Sequence, residues 1–123
     1  NIGFLGHSYG ARMALIYPAY DKRMKVSVSN CYCINLKNSL KKSSGTRIAM
    51  ELCVPGLLNI GDIEDIIKLF DPCSLFISAA KDGKWCRDAE EIYNYAKNSF
   101  KNGEIKLRTW PGQQPHPGGD GCC

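Results

Sequence analysis

The stretch IGFLGHSYGARMAL, Ile2 to Leu15, decides the fold. It starts as a short apolar strand pattern, passes through Gly6, Ser8 and Gly10, and continues as a helix pattern. A strand that hands over to a helix in so few residues must reverse sharply. Side-chain-free residues on both sides of Ser8 suit that reversal, because a Cβ at Gly6 or Gly10 is expected to collide as the helix folds back on the strand. The glycine spacing is not G-x-G-x-x-G, and no Gly-Lys-Ser/Thr follows, so neither nucleotide-binding fingerprint fits.

Outward from this corner the chain alternates strands with helices. GARMALIYPAY reads as a helix ending near Pro18. MKVSVSNCYC alternates and is rich in valine, so it reads as a second strand, with Cys31 and Cys33 on one face. From about Ile34 to Ile60 strict period is lost, and the segment reads as an irregular excursion. DIEDIIKLF places Ile63, Ile66, Ile67 and Phe70 on one helical face, with Asp62 as its cap. DPCSLFISAA is a third strand. DAEEIYNYAKNSF is an amphipathic helix on Ala89, Ile92, Tyr93, Ala96 and Phe100, with Asp88 and Glu91 spaced as a capping box and Gly103 as its stop. EIKLRTW is a fourth strand, and residues 113–123 form a Pro/Gly/Cys tail without period. This order predicts an α/β fold of about four parallel strands with flanking helices.

The totals exclude several classes. A length of 123 residues allows one domain with a moderate core, and 44% hydrophobic with 23% charged residues is globular composition. No apolar run approaches the roughly 20 residues of a membrane helix, so no membrane partner is expected. The net charge of +4 is scattered, and its densest patch, KNSLKKSSGTR, reads as a solvated loop, so no nucleic-acid partner is expected. Seven cysteines without a C-x-x-C pair, and only two histidines, argue against a structural zinc site. The cysteines read as free thiols, which favours a reducing, cytoplasmic setting. No metal or organic cofactor is expected, and the oligomeric state is left open. The chain opens flush on a strand, without a starting Met, and is expected to be part of a longer protein.

Chemistry then centres on Ser8. A strand–Gly-x-Ser-x-Gly–helix arrangement is a nucleophile elbow, with the serine above the C-terminal edge of the sheet. The helix N-terminus favours negative charge there, and the Tyr9 backbone N–H is placed to donate to an oxyanion. A serine hydroxyl needs a histidine to take its proton and a carboxylate to orient that histidine. His7 leaves the corner in another direction and reads as a loop-supporting residue. His116, after the last strand, is the remaining candidate base. The loop after the third strand offers Asp82 and Asp88, and Asp82 is preferred because Asp88 is engaged as a helix cap.

These segments, with DPCSLFISAAKDGKW, AEEIYNYAK and IKLRTWPGQ, resemble the α/β-hydrolase superfamily. They look most similar to its dienelactone-hydrolase, acetyl-xylan-esterase and prolyl-oligopeptidase-like branch, over roughly residues 1–112. The resemblance implies the C-terminal portion of a hydrolase domain, without the N-terminal strands, and with the 34–60 excursion as part of the substrate roof. It implies a small-molecule ester or peptide substrate and a triad of Ser8, Asp82 and His116. Such proteins often read Pro-Gly-(Gly or Gln)-His after the last strand. Here Gln114 stands where that histidine is expected, and His116 follows two residues later. Two readings stay open: a shifted loop in which His116 still serves Ser8, or an altered chain end. On the second, the chain is a non-catalytic, truncated or degenerate fragment or a binding module. The isolated chain is expected to be inactive because one oxyanion donor comes from a loop near the missing strands.

Overall fold

The computed structural model describes residues 1–41, 54–81 and 83–112. Four strands form one sheet: β1 (Ile2–His7), β2 (Met24–Asn30), β3 (Ser74–Ala80) and β4 (Ile105–Trp110). They lie side by side in chain order, and every neighbouring pair is parallel. This is the α/β architecture expected from the sequence. Because all strands point one way, their C-terminal ends, at His7, Asn30, Ala80 and Trp110, share one edge.

The helices are short: α1 (Tyr9–Ala14), α2 (Tyr17–Tyr20), α3 (Leu36–Lys41), α4 (Ile63–Ile67) and α5 (Ala89–Ala96). Ala11 and Leu15, Ile63 and Ile67, and Ala89, Ile92 and Ala96 enter one core with Leu75, Ile77 and Ala79 of β3. Period 3.6 on the helices and period 2 on the strand meet there. Ser27, buried in β2, donates its hydroxyl to the Ala14 carbonyl at 2.7 Å, tying α1 to the sheet. The opposite sheet face carries Leu5, 74% exposed, and Val26, 44% exposed.

Several local expectations change. Pro18 does not end the first helix. That helix stops at Ala14, and Pro18 sits in the first turn of α2, where its missing N–H costs no hydrogen bond. β2 ends at Asn30 rather than running on through the cysteines, because Cys31 turns through a left-handed φ of 65°. Cys31 and Cys33 therefore do not share a strand face. Cys31 is disulfide-bonded, which corrects the expectation of free thiols, although Cys33 and Cys73 are buried free thiols.

The cap expected at Asp62 is present and does more than cap α4. Its Oδ1 accepts from Ile63 N at 2.7 Å and from Leu36 N at 3.1 Å. Its Oδ2 accepts from Lys37 N at 2.8 Å, and Asp65 closes the capping box by accepting from Asp62 N at 3.1 Å. Asp62 thus serves the first amides of α3 as well as those of α4. The cap expected at Asp88 is absent: its side chain makes no bond to α5 and instead accepts from Asn35 N at 2.9 Å. Gly103 does not stop α5, which ends at Ala96 and passes through a 3-10 turn over Lys97–Ser99; a Cβ at Gly103 would lie 2.8 Å from the Pro72 carbonyl oxygen and 3.0 Å from that of Cys73.

Candidate active site

Ser8 is the hinge between β1 and α1. It has φ 54° and ψ −115°, which for a residue with a Cβ is strained backbone. Two bonds hold it there: Ser8 N donates to the Asn30 carbonyl at 3.0 Å, and the Ser8 carbonyl accepts from Ala11 N at 3.0 Å. The side chain is partly exposed at the C-terminal edge of the sheet.

The two flanking glycines are not equivalent. A Cβ on Gly6 would sit inside the Gly10 backbone and only 2.6 Å from Ala11 N. Gly6 is therefore the residue that lets α1 fold back against β1. A Cβ on Gly10 meets nothing within 4 Å, so the expected collision at Gly10 does not occur. What matters at Gly10 is its main chain, which fills the space that a side chain at Gly6 would need.

Tyr9 opens α1, so its N–H is among the first amides of the helix, which have no carbonyl partner within it. Its side chain is 52% exposed. His7 is exposed and lies beside β2, where its Nδ1 is 3.0 Å from Asn30 Nδ2. Asp82 and His116, the other two members of the expected triad, lie outside the described residues. No distance from Ser8 to either is therefore part of the site's geometry.

The neighbouring strand ends build the surroundings. After the Cys31 corner, Tyr32 is buried and stacks on Trp85 with ring centroids 6.4 Å apart. Burial raises the Tyr32 hydroxyl to about 12, against a smaller opposing pull from Arg12. Cys33 N donates to the Trp85 carbonyl at 2.7 Å, joining the loop after β2 to the loop after β3. Burial also pushes the Cys33 thiol well above its usual range.

Among the described residues, two cavities are not lined by Ser8. One of about 180 Å³ opens at the ends of β3 and β4 between Ala80, Lys81, Arg87 and Thr109. The other, about 300 Å³, lies between Asn35, Asp62, Glu64, Asp65 and Tyr95. Glu64 accepts from Asn35 Nδ2 at 2.7 Å with one oxygen, while the other is buried without a partner among the described residues, and burial raises its carboxyl. Among the described residues no three His, Cys, Asp or Glu side chains come together as a metal site.

Sequence reasoning missed Asn30 and Asp62 as organising residues of this edge. Asn30 carried no signal, because its contacts are set by strand register. Asp62 was visible as a cap, but its reach to α3 was not.

Comparison with known proteins agrees at the level of fold. No protein-family model matches the chain, and no curated protein sequence does. Among solved structures it is similar to a promiscuous CE15 esterase from a marine bacterial metagenome, with a TM-score of 0.61 and 18% identity. The match covers 88% of this chain and 36% of that one, so the chain spans about a third of the esterase's length. At that identity the likeness establishes the shared α/β-hydrolase-type fold.

Proposed function

We propose that residues 1–112 are the C-terminal portion of an α/β-hydrolase domain whose Ser8 is the nucleophile of a serine hydrolase acting on carboxylic esters or peptides. One observation carries this: a non-glycine residue is held at φ 54° between a parallel strand and a helix, its side chain at the strand's C-terminal end. Strain at such a place is characteristic of functional corners. The esterase-like fold supports the same reading. The placement within the dienelactone-hydrolase-like branch rests on sequence resemblance.

In this reading Ser8 Oγ attacks the substrate carbonyl carbon while its proton passes to His116. The negative oxygen that forms is met by the Tyr9 N–H. Collapse breaks the carbon–leaving-group bond, His116 returns the proton to the departing alcohol or amine, and Ser8 carries the acyl group. Water, deprotonated by His116, then releases the acid and restores the Ser8 hydroxyl. Asp82 orients the histidine throughout. The excursion over residues 34–60 forms part of the substrate roof.

A serine-directed phosphonate tests the nucleophile. Digestion of the treated protein is expected to yield a modified peptide containing Ser8, and Ser8→Ala is expected to lose it. A folded protein that leaves Ser8 unmodified overturns the assignment.

A second reading, a binding module or degenerate hydrolase without turnover, draws on one feature. Among the described residues β1 has no strand on its outer side, so the second oxyanion donor has no source among them. Losing one such donor costs about 10²–10³ in rate. Slow modification of Ser8 with no ester turnover is the outcome that reading expects.

A further inference from the structure

Asn30 grips the corner at two points. In the parallel register it stands opposite His7, and it is the last residue of β2. Its carbonyl accepts the Ser8 N–H at 3.0 Å. Its side-chain Nδ2 donates to His7 Nδ1 at 3.0 Å. The residue before Ser8 and the amide of Ser8 itself are thus both held by one neighbour.

Asn30 is itself well anchored. Immediately after it, Cys31 turns through a left-handed φ of 65°, and Cys31 N donates to the Ser78 carbonyl of β3 at 2.9 Å. The non-glycine residues with positive φ among the described ones, Ser8 and Cys31, therefore follow a directly paired couple, His7 and Asn30. Two strained corners side by side persist only where surrounding bonds over-determine them. Among the described residues, the Asn30 side chain links the first corner to the second strand beyond the main-chain ladder.

We infer that Asn30 is a positioning residue for Ser8, acting through His7. With the Asn30 amide nitrogen as donor, His7 Nδ1 is the acceptor and the ring carries its proton on Nε2. The ring is pinned against β2, and with it the residue from which the Ser8 corner springs. His7 is then a strut of the nucleophile corner and not its base. This inference rests on the hydrolase reading of Ser8, and its test separates the two.

Asn30→Ala removes the grip on His7 and leaves the main-chain bond to Ser8. Its Ser8 is expected to react with the phosphonate about tenfold more slowly, the scale of effect of a small misplacement at a reacting group. Asn30→Asp has the same size but offers only acceptors, so it re-forms the contact when the His7 proton moves to Nδ1. It is expected to restore most of the rate. Nitrogen-15 spectra of the ring report the switch directly: Nε2–H in the unsubstituted protein, Nδ1–H in Asn30→Asp. An unchanged rate in Asn30→Ala, or a tautomer that stays put in Asn30→Asp, overturns the inference. Failure to modify Ser8 in every variant overturns the hydrolase reading instead, and the tautomer switch still decides the Asn30–His7 contact.

Discussion

Gly6 and Gly10 touch back to back: the space that a Cβ on Gly6 would occupy is already filled by the Gly10 main chain. The closeness of β1 to α1, and so the height of Ser8 above the sheet edge, depends on that contact. Gly6→Ala has no flexible neighbour to displace, because every atom it meets is backbone. It is expected to destabilise the protein by more than about 3 kcal/mol, the range of strain in a closely packed backbone. Denaturant unfolding measures this.

Gly10→Ala should behave in the opposite way. Its Cβ enters open space and its residue is helical, so the change gives up a flexible glycine for the best helix former. A gain of about 0.5–1 kcal/mol is expected. A loss of stability as large as that of Gly6→Ala would show that the two glycines share one role, contrary to the geometry.

The contrast shows what the sequence made legible. Four parallel strands and the corner at Ser8 followed from apolar period and glycine placement, because those signals are local. Gly6 and Gly10 looked alike in sequence and differ in space, since only the packed backbone shows which one faces the other. The Asp88 cap was misread because its acceptor found a better donor 53 residues away, at Asn35. The end of β2 was misplaced because alternation in NCYC continued past a corner that Cys31 makes with its main chain. Asp82 and His116 were inferred from chain order, with Asp82 preferred to Asp88 because Asp88 read as a cap, and both lie outside the described residues.

Asp62 offers a second test of long-range organisation. It is buried, and its two oxygens take the amides of Leu36, Lys37 and Ile63. Asp62→Ala strips the cap from α4 and leaves donors at the start of α3 unmet. A cost of about 2–4 kcal/mol is expected, above the ~1 kcal/mol of a simple cap, because several buried donors lose their acceptor at once. Hydrogen exchange should quicken in both α3 and α4. Exchange confined to α4 would reduce Asp62 to an ordinary cap.

The buried thiols give a direct check of packing. Cys33 is 0% exposed and Cys73 is 2% exposed, and burial raises both thiols. Neither is expected to react with a disulfide reagent in the folded protein at neutral pH, since the thiolate is the reactive form. Both should react at once in denaturant. Mass mapping of the modified peptides distinguishes them from the other cysteines, and prompt native labelling of Cys33 would contradict the core described here.

Asp71 predicts how stability responds to acid. Its Oδ1 accepts from the amides of Lys101, Asn102 and Gly103 at 3.0, 2.9 and 2.8 Å, and its Oδ2 from Asn102 Nδ2 at 2.8 Å. These bonds, those from Gly103 and Asn102 foremost, lower its carboxyl from the ordinary 3.8 to about 2. A carboxyl lowered on folding contributes stability above its unfolded pKa, and the contribution is lost as pH falls towards its folded one. Asp21 is lowered to about 2 as well, through its bonds with Arg23, so acid melting of the unsubstituted protein alone does not isolate Asp71. Asn at position 71 does not titrate. Asp71→Asn should therefore melt below the unsubstituted protein at pH 6, with the gap narrowing from about pH 4 down to pH 2. A gap that stays constant over that window would mean that the loop before β4 draws its stability from shape at position 71 and not from its charge.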